Sequence, residues 1–132
     1  MESAKIAIDN DNDNNLKRLP MLNGFLKFGL TVRVEEDFPN FHDMSLIQYS
    51  IAKRKPKTLK YMLKTVKNIL KIEVKDILHP KSSNTRWGLI KLAVEFGSKS
   101  FYDSVDNECL NVILKLFSEY IKENSDVTGE PL

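Results

Sequence analysis

The amino-acid sequence predicts an all-α fold built from antiparallel helix pairs. Apolar residues recur every three or four positions from Leu46 to Ile121, the period of one buried helix face. Between these runs stand Pro56, Pro80 and Gly97, residue types that begin or end helices. Alternation of the kind a strand requires is confined to a few residues around Val32 and Val34.

Residues 1–15 are rich in Asn and Asp and bury too little apolar surface to offset ordering, so a mobile acidic tail is expected there. Asp9, Asp11 and Asp13 match the first, third and fifth positions of an EF-hand-like loop. Asn14 stands where the turn glycine belongs and Pro20 where the bidentate glutamate belongs, so a solvated tail accounts for the run better. In residues 16–41, "LPMLNGFLKFGL" fits a short helix or irregular packing, and "LTVRVEEDF" fits a short strand. Together they would cap the helical body.

Asp43 and Ser45 are both N-cap types ahead of a first helix at 44–54. Pro56 ends it and suits the first turn of the next, at 57–71, whose apolar face is Leu59, Met62, Leu63, Val66, Ile69 and Leu70. "VKDIL" reads as a short turn in a connector closed by Pro80. A third helix spans about 86–96, with Gly97 as its C-cap. A fourth spans about 106–122, with Leu110, Ile113, Leu114, Phe117 and Ile121 on one face. The expected organisation is a single helical domain over 16–123 between the 1–15 tail and a flexible 124–132 tail.

No run approaches the length of a membrane span, and the polar start lacks the features of a signal peptide. With the lone Cys109 unable to form an intrachain disulfide, a cytoplasmic or nuclear protein is expected. Phosphate-loop, dinucleotide, zinc-protease, nucleophile-elbow and CxxC motifs are all missing, and His42 and His79 are isolated. The sequence therefore points away from an enzyme and from any metal or cofactor. Cys109 reads as a packed helix residue, and Trp87 as a core anchor or an exposed contact for a partner.

Charge is the most informative feature. Net charge is −3 over residues 1–44, +10 over 45–91 and −5 over 92–132. Lys57, Lys60, Lys64, Lys67 and Lys71 recur at intervals of three or four and form one helix face, with Lys53 and Arg54 just upstream. These seven residues are the candidate partner-binding set. Such a face suits an acidic protein or nucleic-acid phosphates, and lysine is also the common solvated residue of a helix. The chain has only four arginines, and its aromatics fall mostly outside the basic region, which favours the acidic protein.

The stretch "SLIQYSIAKRKPKTLKYML" resembles the ankyrin repeat. Ile47 and Tyr49 take core positions of its first helix, Ser50 a small-residue position, and Leu59, Met62 and Leu63 the core of its second. "GLIKLAVEFGS" with "LNVILKLFSEY" resembles a second unit, with Ile90, Leu92, Ala93 and Gly97, then Val112 or Ile113, Leu116 and Phe117. Gln48 and Lys91 stand where the family carries histidine, and the two units lie about 43 residues apart against about 33 in ankyrin arrays. The resemblance implies a binding or adaptor module acting by surface recognition; a plain helical bundle gives the same spacing. Degenerate repeats and an Asn/Lys/Ile-rich composition also suit a viral or pathogen effector that binds a host protein.

Overall fold

The computed structural model describes residues 2–80, 87–97 and 108–123. The expected 124–132 tail and most of the two polar connectors lie outside them. Within the described residues the chain is mostly helical, with one small two-stranded sheet.

Four helices form the centre: α4 (Leu46–Ala52), α5 (Pro56–Lys64), α7 (Leu89–Gly97) and α8 (Glu108–Leu116). α4 packs on α5, and α7 on α8. The two pairs then meet helix for helix, α4 on α7 and α5 on α8. Tyr49, Leu59, Met62, Leu63, Leu92 and Ile113 come from all four helices and are fully buried between them. The short α6 (Val74–Leu78) packs on α7.

Local chemistry explains how α4 is bounded. The Ser45 hydroxyl accepts from the Gln48 N–H at 3.2 Å, and the Gln48 side chain accepts from the Ser45 N–H at 2.9 Å, a reciprocal box that ties off two free donors. Gln48 thus bonds backbone from the position where the ankyrin pattern has histidine. At the other end Arg54 N–H donates to Ile51 and Lys55 N–H to Ser50, the bonding of a Schellman motif. Arg54 occupies its left-handed position, at φ 58°, where glycine is the usual residue. Pro56 then opens α5.

Four expectations need correction. Residues 2–15 are not a tail. They form α1 (Glu2–Asp9) and the start of α2 (Asp13–Lys17), which dock on α4 and α5 and bury Ala4, Ala7, Ile8 and Leu16. The average composition concealed this: burying side chains such as Ile8 and Leu16 is worth about 1.5–3 kcal/mol each, enough to order a short segment with a surface to dock on.

The second is the start of the first helix, expected at residue 44: residues 43–45 are extended, and α4 begins at Leu46. β1 (Thr31–Arg33) lies in the stretch expected to be extended, and it pairs antiparallel with β2 (Asp43–Ser45), Val32 opposite Met44. A short α3 (Leu22–Lys27) precedes this hairpin.

Third, the helix expected over 57–71 changes winding. Thr65–Ile69 is a π-helical turn, in which Leu70 N–H donates to the Thr65 carbonyl. The wider turn rotates later residues off the α-helical register. Ile69, expected inward, is 64% exposed.

Fourth, the helix expected over 106–122 is two segments, α8 and α9 (Ser118–Glu123), which meet at the buried Phe117. Gly97, expected as a C-cap, lies within α7, and the residues that follow it, 98–107, are outside the described ones.

Trp87 is half-buried ahead of α7. Its ring stands edge-on to Phe41 at 5.6 Å, with the Lys91 ammonium 4.9 Å from its centroid. α7 begins at Leu89, later than periodicity suggested, and Gly88 before it is wedged against the end of α6. A Cβ there would sit 2.8 Å from the His79 ring and 3.0 Å from the Leu78 carbonyl.

Candidate functional site

α5 determines where the lysines point. Its own N-cap residue, Lys55, makes no side-chain cap bond. The cap comes from Asp11, whose carboxylate accepts from the Thr58 N–H at 3.0 Å, the Thr58 hydroxyl at 3.2 Å and, at 3.4 Å, the Lys57 N–H. Thr58, Leu59, Met62 and Leu63 face the core without exposure. Lys57, Lys60 and Lys64 are therefore driven to the opposite, solvated face.

The seven basic residues do not form one continuous face. Lys53 is drawn inward, its ammonium 3.9 Å from both Asp9 and Asp37 and 5.9 Å from the Tyr49 ring centroid. Asp9 also accepts a hydrogen bond from the Tyr49 hydroxyl. Burial and then that carboxylate hold the phenol well above its ordinary range. Arg54 sits at the α4 terminus beside a separate cavity of about 260 Å³ walled by Phe38, Phe41 and Phe96. Lys67 donates to the Leu116 carbonyl at 2.8 Å and lies 5.5 Å from the Phe117 ring centroid, so it fastens the α8–α9 junction. Lys71 follows the π turn in a left-handed conformation, φ 55°. Lys53 and Lys67 are structural ties, and Lys57, Lys60 and Lys64 remain as the solvated set.

The structure adds a residue that the sequence did not single out. Lys115, exposed on α8, comes beside Lys60 and Lys64 across a groove of about 430 Å³. Pro56 and Glu108, the first residues of α5 and α8, both line it. Lys67, just past α5, reaches the last carbonyl of α8, so the two helices run in the same direction. Half-buried Val112 and Leu116 give the groove an apolar lining, and the exposed Asn111 and Lys115 border it on the solvent side. Lys57, Lys60, Lys64 and Lys115 have no described carboxylate within 4.0 Å, whereas Lys17 and Lys75 each have one and Lys53 has two. Lys115 was invisible because it is a lone lysine in an acidic part of the sequence, and only the α5–α8 contact gives it neighbours of like charge.

No protein-family model, curated protein or solved structure matches this chain. The site must therefore be understood from its own chemistry. Among the described residues no helix is long and apolar enough to cross a membrane. Nor, among them, do three or more His, Cys, Asp or Glu side chains gather where they could hold a metal ion. Cys109 is buried in α8, and His42 pairs with Glu35 at the surface. The groove offers no nucleophile beside a base; it offers three ammonium groups flanking an apolar strip. Three ammonium groups against the one carboxylate of Glu108 leave the groove net positive, which attracts anions.

Proposed function

We propose that this chain is a protein-binding module whose α5–α8 groove receives an acidic segment of another protein. One observation carries the reading: Lys60, Lys64 and Lys115 converge on one groove around Val112 and Leu116, three lysines against the single carboxylate of Glu108. The lysines supply attraction and orientation, and the apolar strip supplies burial. The pairing of two helix hairpins, α4 on α7 and α5 on α8, is common to an ankyrin-like unit and a plain helical bundle, and either suits a scaffold that presents a surface.

A nucleic-acid partner is the second reading, and the same lysines favour it. Against it, no aromatic ring and no arginine lines the groove, so bases would find nothing to stack on. The test is fluorescence anisotropy with a labelled polyglutamate peptide and a labelled oligothymidine. The acidic peptide should bind, and Lys60→Glu/Lys64→Glu/Lys115→Glu should abolish binding without changing the circular-dichroism melt. Oligothymidine binding with a steep salt slope, alongside silence toward the peptide, would move the assignment to the second reading.

A further inference from the structure

We infer that the acidic segment received by the α5–α8 groove is an amphipathic helix, a conclusion that rests on the protein-binding reading above. The backbone of the walls is the first reason. α5 and α8 are both helices, and their interior N–H and C=O groups are already bonded within each helix. The groove therefore offers no free backbone edge. An extended peptide laid on Val112 and Leu116 would leave its own peptide groups unpaired against apolar side chains, which costs free energy at every residue. A helical occupant bonds its backbone internally and can present side chains alone.

Spacing leads to the same occupant. Pro56, Lys60 and Lys64 form an every-fourth-residue ridge on α5, and Glu108, Val112 and Leu116 form the matching ridge on α8. Successive positions along each ridge rise about 6 Å, so the groove runs about 12 Å, or two helical turns. Seating a row of side chains there is how helices pack, the ridge of one entering the groove between ridges of its neighbours. The occupant then has an apolar ridge of two or three residues at four-residue intervals over Val112 and Leu116. Its carboxylates flank that ridge one turn apart, against Lys60 and Lys64 on one side and Lys115 on the other.

Two labelled peptides of identical composition separate this inference from the reading beneath it. One orders Leu, Ala and Glu so that a leucine ridge is flanked by glutamates on a helix. The other permutes the same residues into strict alternation. With the full chain, the helical peptide should bind at least tenfold more tightly and gain helical circular-dichroism signal on binding. Lys64→Glu should remove that binding, and so should Val112→Glu, provided that a melt shows the variant folded; if it is not folded, Lys60→Glu/Lys64→Glu serves alone. Equal binding of both peptides would overturn the helical occupant while leaving acidic-partner recognition standing. Binding of neither peptide, nor of polyglutamate, would overturn both.

Discussion

The carboxylate of Asp11 caps the helix that begins at Pro56, through the backbone and hydroxyl of Thr58, 47 residues away in the sequence. This contact joins the N-terminal segment to the helix that carries the candidate site. It explains why an Asn/Asp-rich stretch is ordered: Asp9 accepts from Tyr49, Asp11 caps α5, Asn12 caps α2, and Asp13 pairs with Lys17. Replacing a capping carboxylate by alanine costs about 1–2 kcal/mol. Asp11→Ala should therefore lower unfolding stability by that amount, read as a lower urea midpoint with an unchanged m-value, and Asp11→Asn should lower it less. An unchanged midpoint would show that the cap contributes nothing.

That segment also illustrates what sequence reasoning could and could not reach. The helix faces around Leu59, Met62, Leu63 and Leu92 were legible because burial of a helix imprints its own period on the residues. The Ser45 cap was legible because it acts over three residues. Asp11 was not, because its partner is remote, and an aspartate that caps a distant helix has the same local signature as one in a solvated tail. The π turn at Thr65–Ile69 was hidden for a related reason, since a single change of winding leaves the residue types unaltered. For the site, Lys57, Lys60 and Lys64 could be found from spacing, whereas Lys115 required the α5–α8 contact.

Arg54 holds a left-handed backbone that disfavours side chains, by about 1 kcal/mol relative to glycine. Arg54→Gly should raise stability by up to that amount in chemical denaturation. It should leave acidic-peptide binding at the wild-type value, because Arg54 does not line the α5–α8 groove. Reduced binding would extend the site to the α4 terminus.

Gly88 makes the opposite case, a glycine kept by close packing. A methyl group there meets the His79 ring and the Leu78 carbonyl at distances that force one of them to move. Gly88→Ala should destabilise by about 1–3 kcal/mol, the usual range for overpacking. A differential-scanning melt checks it, and a wild-type transition temperature would mean that His79 yields freely.

His79 should give stability a pH dependence of known sign. Burial pushes its imidazole below the ordinary value of 6.5, and its Nε2 has no hydrogen-bond partner among the described residues. Well above 6.5 the ring is neutral in both folded and unfolded chains, and it contributes no slope. Below that value the unfolded chain takes up the proton first, so stability falls as pH drops toward the folded pKa, by at most about 1.4 kcal/mol per pH unit. Urea titrations at a series of pH values should show this loss in the wild type and a shallower one in His79→Gln. Parallel curves would assign the acid sensitivity to other groups.

Lys64 and Lys67 stand one turn apart on the same stretch of chain, yet the structure gives them opposite duties. Lys64 is exposed in the groove with no described carboxylate within 4.0 Å, and Lys67 donates to the Leu116 carbonyl beside the Phe117 ring. Surface charge removal rarely shifts stability by more than about 0.5 kcal/mol, whereas loss of a hydrogen bond from a charged donor costs about 1.5–3 kcal/mol. Lys64→Met should therefore keep the melting transition and weaken acidic-peptide binding several-fold. Lys67→Met should lower the transition and, at a temperature where it is folded, bind the peptide as the wild type does. Two variants with the same pair of effects would mean that the lysines act as a single charged face, and the division drawn between tie and site would fall.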